Sequence, residues 1–317
     1  DTPSMSTPST LLLTHPHCLG HDPGPGHPEC PDRLRVILHA LEKESFALLD
    51  RRRAAPASLA QLRRVHTADL VAEILAIHPP EGDLVQIDPD TAMSSGSAEA
   101  ALLAAGAAIG AVDAVVGGEA RNAFAAIRPP GHHAEPGRAG GFCLFNNAAI
   151  AALHARAAHG LRRVAVADFD VHHGNGTQAA FWNDPDAFYA SSHQSPFFPG
   201  TGSVTDQGVA SNIVNVPLRA GTDGAAFRAA WETTLLPALD AFAPEILILS
   251  AGFDAHRADP LAALRLETED FAWLTGEFVA LAERHCQGRL VSVLEGGYDL
   301  AALAAATAAH LRVLMGN

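Results

Sequence analysis

Seven short apolar runs, separated by long alanine-rich stretches, limit what this chain can fold into. The runs are Thr10–Thr14, Ala123–Ile127, Val164–Ala167, Phe188–Ser191, Ile213–Val216, Ile246–Ser250 and Leu290–Leu294. Most are apolar throughout rather than alternating, the pattern of strands covered on both faces. Helices are predicted between them over Pro31–Leu49, Ala98–Val116, Asn147–His159, Ala225–Ala241, Thr268–Arg284 and Leu300–Leu314, with Pro31-Asp32 and Thr268-Glu269 as helix starts. Strands alternating with helices predict an α/β fold, a mainly parallel sheet with helices on both faces. A length of 317 residues suits one wide unit of this kind, so residues 1–317 are expected to form a single domain. Residues 1–9 are expected to be a flexible lead-in, with Asp1 to Ser4 preceding Met5 as the native start. Gly/Pro-rich loops at 16–31, 79–97, 128–141 and 194–212 are long enough to be functional.

Composition narrows the partners. Twenty-one basic against 35 acidic residues give a net charge of -14, which disfavours nucleic acid and anionic membranes and tolerates a cationic substrate. No apolar run reaches membrane-spanning length and no charged-then-apolar leader is present. The four cysteines, Cys18, Cys30, Cys143 and Cys286, form no close pair. That argues against a disulfide framework or a cysteine zinc site and fits a reducing cytoplasm.

In open parallel sheets, ligands bind beyond the carboxyl ends of the strands. Four polar clusters directly follow predicted strands: Arg128-Pro-Pro-Gly-His132-His133, Asp168-Phe-Asp170-Val-His172, Ser250-Ala-Gly-Phe-Asp254 and Glu295-Gly-Gly-Tyr298. Their shared position predicts one common site. In extended chain Asp168, Asp170 and His172 would point to one side. Asp170, His172 and Asp254 would make a three-ligand set with a position left open for water or substrate, the pattern of catalytic zinc. The bland alternative is that the aspartates cap helices or pair with Arg257 and Arg265.

Adjacent imidazoles suit two roles better than one, and a neutral histidine can take a proton from metal-bound water and deliver it to a leaving amine. His132 and His133 then need orienting acceptors, for which Asp168 and Asn175 are the candidates. Tyr298 could donate to a developing oxyanion. Gly140-Gly141-Phe142-Cys143 and Ser195-Pro-Phe197-Phe198-Pro-Gly200 carry aromatics that could wall a narrow channel, although Phe197 reads almost equally well as core packing. The apolar neighbours of Cys143 make it a packing residue rather than a nucleophile. His15, His17, His21 and His27 lack regular ligand spacing, so a second metal site there is disfavoured.

Taken together, the motifs resemble the zinc-dependent histone deacetylase and acetylpolyamine amidohydrolase superfamily. The resemblance rests on HPECPDRL (27–34), RPPGHHAE (128–135), GFCLFNN (141–147), DFDVHHGNGTQ (168–178), FFPGTG (197–202), SAGFDAHRADPL (250–261) and LEGGYDL (294–300). Asn175 within DVHHGNGTQ is similar to the class II branch, as in bacterial histone deacetylase-like amidohydrolases. The resemblance implies an arginase-like three-layer fold around an eight-stranded parallel sheet. It implies zinc on Asp170, His172 and Asp254, with iron(II) as a substitute in cells. It makes His133 the proton shuttle, supported by Asn175, and His132 an electrostatic partner oriented by Asp168. Tyr298 would polarise the acyl oxygen, and Phe142, Phe198, Gly141 and Leu261 would contact substrate. It further implies a structural potassium ion near Asp168, Asp170, His172, Ser191 and Ser192, and places Arg33 near an internal pocket for released acetate.

The implied activity is removal of an acetyl or other acyl group from an N-acyl-lysine-like amine by metal-activated water. The alternative is an acetylpolyamine amidohydrolase, disfavoured by Leu261 where polyamine-selective relatives carry an acidic gatekeeper. A two-manganese ureohydrolase is disfavoured by His256, which stands where such enzymes carry aspartate. A non-catalytic acyl-lysine binder is disfavoured because every chemical residue is present. Oligomeric state is left open, a homo-oligomer included.

Overall fold

The computed structural model describes residues 9–317, so residues 1–8 of the expected lead-in lie outside the described residues. In chain order the elements are β1 (Thr10–Thr14), α1 (Asp32–Ala40), β2 (Asp50–Arg53), α2 (Leu59–Leu62), α3 (Ala68–Ala76), β3 (Val85–Asp88), β4 (Thr91–Met93), α4 (Ser97–Val116) and β5 (Asn122–Ala125). There follow α5 (Asn147–His159), β6 (Val164–Asp168), α6 (Asn175–Phe181), β7 (Ala187–Gln194), β8 (Ile213–Leu218), α7 (Gly224–Ala230) and α8 (Leu236–Phe242). The chain closes with β9 (Ile246–Ala251), α9 (Thr268–His285), β10 (Leu290–Leu294) and α10 (Leu300–Met315).

Eight strands form one sheet in the order β2-β1-β5-β10-β9-β6-β7-β8. Every neighbouring pair in it is parallel, as the continuous apolar runs predict. Strand periodicity divides the core into two. Leu12, Phe124, Ala167 and Leu249 face a layer containing Phe169, Trp231, Phe253, Phe271 and Phe278. Leu11, Leu13, Ala125, Val166 and Ile248 face the small side chains of α4 and α5. The helices thus cover both sides of the sheet.

Four local elements differ from the sequence reading. The predicted helix Pro31–Leu49 stops at Ala40, and Glu44–Phe46 forms a separate 3-10 turn. The predicted helix Ala225–Ala241 opens into a wide π turn at Trp231–Leu235. Pro237 follows at the second position of α8; it lacks an N–H and crowds the carbonyl four residues back. The loop 79–97 contains the β3–β4 hairpin. Finally, α4 has the length and mean hydropathy (1.7) of a membrane span, contrary to the expectation that no run does. It is a core helix here, with 72% of its apolar window buried in the fold.

That burial depends on close approach. A Cβ on Gly106 of α4 would lie 1.8 Å from the carbonyl oxygen of Ala55. Gly106→Ala is therefore expected to destabilise the fold by about 1–3 kcal/mol despite its better helix propensity. An unchanged urea-unfolding midpoint would contradict that packing.

Candidate active site

Strands β5, β10, β9 and β6 are consecutive in the sheet, and the four polar clusters leave from their carboxyl ends. Asp168 is the last residue of β6, whereas Asp170 and His172 sit in the bend beyond it. Their convergence thus comes from that bend and not from strand alternation. Asp254 arrives from the loop after β9.

Asp170, His172 and Asp254 are 1%, 8% and 0% exposed, and their candidate ligand atoms lie within 4.8 Å of one another. His172 Nδ1 is 3.1 Å from both Asp170 Oδ1 and Asp254 Oδ2. Bonds of about 2.0–2.1 Å to a tetrahedral ion imply ligand separations of roughly 3.3 Å, so the trio fits a divalent cation. The backbone holds the carboxylates: Asp170 Oδ2 accepts the N–H of Gly296 at 2.8 Å and Asp254 Oδ1 that of Val171 at 2.8 Å. Neither aspartate caps a helix, and Arg257 pairs with Glu267 instead. Burial and the Asp170 charge push Asp254 up to about 7. Burial opposes charge on His172, but its bonds to Asp170 and Asp254 prevail and push it up to about 10. Two withdrawn carboxylates thus call for a positive charge between them.

Both orienting contacts proposed from the sequence form. His132 Nδ1 lies 2.9 Å from Asp168 Oδ2 and His133 Nδ1 2.8 Å from Asn175 Oδ1. Asn175 donates through Nδ2 to Glu135 Oε1 at 2.7 Å, which turns its carbonyl oxygen toward His133. His133 then carries its hydrogen on Nδ1 and leaves the Nε2 lone pair free. Burial lowers the pKa of His133, and the neighbouring His132 and His172 charges lower it further. Burial also works against charge on His132, but Asp168, Asp170 and Glu295 raise its pKa well above the ordinary value.

A cavity of about 180 Å³ meets this cluster and is lined by Gly141, Phe142, Phe198 and Leu261, all four of the proposed substrate contacts, together with His133, His172 and Tyr298. Phe197 and Asp90 line it too. Phe197 stacks on His172 with centroids 5.0 Å apart, so it belongs to the wall. Gly141 has φ +60°, and a Cβ there would meet the His133 ring at 2.7 Å; glycine is required on both counts. Cys143 is buried, which raises its thiol pKa well above the usual range, in keeping with a packing role.

Three supports rest on contacts that the sequence does not show. Tyr189 donates to Asp168 Oδ2 at 2.9 Å and accepts the N–H of Gly174 at 2.9 Å. Glu295 Oε2 accepts the N–H groups of Gly131 and His132 at 2.7 and 3.1 Å. Buried Arg33 bonds the carbonyls of Glu295 and Gly297 at 2.6 and 2.5 Å and lies 4.9 Å from the Tyr298 ring centroid. Tyr189 sits in an apolar run that looks like plain core, and Glu295 and Arg33 act on backbone far away in sequence, so no local signal marks these contacts.

Other candidate centres do not gather the same chemistry. His17 meets Glu99, His21 lies between Ser97 and Glu29, and His27 meets the Asp90 carbonyl; these histidines share no focus. Asp113 Oδ1 lies 2.6 and 2.7 Å from Nε2 of His154 and His159. Arg64 donates to His154 Nδ1, so Nε2 carries the hydrogen and has no lone pair for a metal. A cavity of about 310 Å³ against Leu11, Arg52 and Gly106 is lined by none of the residues clustered beyond β5, β6, β9 and β10. Ser191 pairs with Asp168 across β6–β7. Its hydroxyl is 2.9 Å from His193 Nδ1, and that of Ser192 accepts Trp231 Nε1–H at 3.0 Å.

Fold and cleft define an α/β enzyme scaffold with a candidate cation centre at the carboxyl edge of its sheet. The chain belongs to the histone deacetylase domain family, matched over residues 27–314. It is 38% identical to histone deacetylase 14, chloroplastic, of Arabidopsis thaliana, over 97% of this chain and 77% of that protein. It is 43% identical to the histone deacetylase-like amidohydrolase of Pseudomonas aeruginosa, over 86% of this chain and 73% of the relative. The crystal structure of the HDA15 HD domain superposes with a TM-score of 0.93 at 35% identity, covering 98% of this chain and 89% of that one.

Asp254→Asn is expected to lower zinc content after equilibration with limiting metal by more than about 10-fold, read by elemental mass spectrometry on folded protein. Full stoichiometry in the variant would remove Asp254 from the ligand set.

Proposed function

We propose that the chain hydrolyses linear N-acyl amides, removing acetyl or another acyl group from a lysine-like amine. Family membership and relatives named deacetylase and amidohydrolase support the reaction class. The observation that carries the residue roles is the buried Asp170–His172–Asp254 trio opening into a narrow aromatic cleft beside His133, with its unbonded Nε2.

A divalent ion on Asp170, His172 and Asp254 would supply Lewis acidity and bring the pKa of a bound water to about 7. Zinc suits this donor set, and iron(II) could replace it. His133, uncharged at neutral pH, takes the proton of the attacking water at Nε2 as the acyl C–O bond forms. It returns that proton to the amine nitrogen as the C–N bond breaks. Asn175 keeps the His133 tautomer correct, and the Asp168–His132 pair stands beside it, rings 4.1 Å apart, so that the His132 charge keeps His133 neutral until the proton arrives and favours its release to the amine. Burial raises the phenol pKa of Tyr298 well above 10, so it stays protonated and donates to the acyl oxygen as negative charge develops there. Phe142 and Phe198 flank an extended alkyl chain.

A single cation is favoured, since His256 is not among the clustered ligands and stacks on Phe271 with rings 12° apart. The proposed potassium ion would lie near Asp168, Asp170, His172, Ser191 and Ser192; the β6–β7 register that sets Ser191 beside Asp168 supports it. The shared sheet supports one catalytic domain, and four free cysteines agree with a reducing cytoplasm. Leu261 at the cleft favours an acyl-lysine substrate, while the exposed Asp90 carboxylate offers an ammonium partner and keeps acylpolyamines as the second reading. Competition between an acetyl-lysine peptide and acetylated polyamines at equal concentration, at defined zinc loading, separates the two.

Tyr298→Phe is expected to lower kcat by roughly 100- to 1000-fold while zinc content stays at the wild-type level. Unchanged turnover would refute the role given to the phenol.

A further inference from the structure

Asp259 takes part in none of these steps, yet its carboxylate is withdrawn from water, at 7% exposure, and bridges two loops. Oδ1 accepts the N–H of Leu261 at 2.9 Å and Oδ2 accepts the N–H of Tyr298 at 2.8 Å. Leu261 belongs to the loop after β9 and Tyr298 to the loop after β10, and both line the cleft. Asp259 is not among the cleft-lining residues. The Tyr298 ring is held from its sides by the Arg33 guanidinium, 4.9 Å from its centroid, and by Phe142, edge-on at 5.9 Å. These contacts limit ring tilt. The depth of the phenol in the cleft is set where its backbone is tied: Arg33 holds the preceding Gly297 carbonyl, and Asp259 holds the N–H of Tyr298 itself.

We propose that Asp259 is a positioning residue for amide hydrolysis: it locks the Tyr298 backbone to the Leu261 rim and thereby sets how far the phenol reaches toward the acyl oxygen. This rests on the reading of Tyr298 as the oxyanion donor. The chemistry of the side chain suits the task. Two N–H donors converge on it, and a carboxylate offers two acceptor oxygens. Asparagine would present an NH₂ to one of the two N–H groups and release that loop. Serine could still accept the N–H of Leu261 in a local turn but would be too short for Tyr298.

A double-mutant cycle tests this, with zinc content and thermal melting measured on every variant. Asp259→Asn is expected to lower kcat by about 10- to 100-fold with little change in KM, because a small misplacement of a transition-state group acts on the chemical step. In a Tyr298→Phe background the same substitution is expected to lower kcat by less than about 2-fold, since the group it positions is already gone. Asp259→Ser, which spares the Leu261 turn, is expected to reproduce the kcat loss and replaces Asp259→Asn in the cycle if that variant does not fold. Wild-type kcat in Asp259→Asn or Asp259→Ser, or losses that multiply in the double variant, would overturn the proposal while leaving Tyr298 its role. Full turnover in Tyr298→Phe alone would overturn the role of the phenol and this inference with it.

Discussion

The carboxylate of Glu29 has no exposure to water and faces two arginines that have none either. Arg128 grips both of its oxygens, through Nε at 2.6 Å and Nη2 at 2.8 Å, while Arg33 reaches Oε1 at 2.9 Å. Burial resists ionisation of Glu29, but Arg128, His21 and Arg33 hold its pKa well below the usual carboxylate value. Arg128 begins the Pro-Pro-Gly turn that presents His132 and His133, and Arg33 continues to the carbonyls that precede Tyr298. One ion cluster therefore fixes both flanks of the cleft. Removing one member of such a cluster leaves an unmatched charge in the interior, at a typical cost of about 3–5 kcal/mol. The N-terminal loop and α1, far from the chemistry in sequence, are in this way part of the site's foundation.

Above that foundation the surroundings assign opposite states to two adjacent imidazoles. His132 lies against Asp168 and within 3.8 Å of Asp170 and is driven toward the charged form. His133 lies against the amide of Asn175 and beside charged neighbours and is driven toward the neutral form. A pair of like groups pushed apart in pKa is how one site can keep a neutral and a charged imidazole side by side. Backbone donors complete the arrangement. Asp170, Asp254, Asp259 and Glu295 each accept main-chain N–H groups, so the loops and the carboxylates constrain one another.

What could be read from the sequence follows from how local each determinant is. Thr10–Thr14, Leu290–Leu294 and Asn147–His159 match the observed elements residue for residue, because uninterrupted apolar runs and an alanine-rich stretch under Asn146 carry their own signal. Asp50–Arg53 was illegible: a strand with three arginines exists only through pairing with β1. The histidine pair, the trio and their two orienting acceptors were legible because they cluster in motifs. The contacts of Glu29, Glu295, Tyr189 and Asp259 were not, since each reaches a partner that only the fold brings near. The Glu295–Gly131 contact, for instance, spans 164 positions. Asp90 depends likewise on the β3–β4 hairpin, which lies in a stretch whose composition reads as loop.

Strand β2 also bears on what the sheet presents to other chains. An open parallel sheet has two raw borders, each able to template another chain's backbone. Here β2 lines one border with Arg51, Arg52 and Arg53, so an incoming strand would have to settle against guanidinium groups. The opposite border is β8, where Pro217 brings no amide hydrogen. Charge lines one side and a missing donor interrupts the other, so neither border of this broad, apolar sheet offers an unbroken neutral template to a further strand.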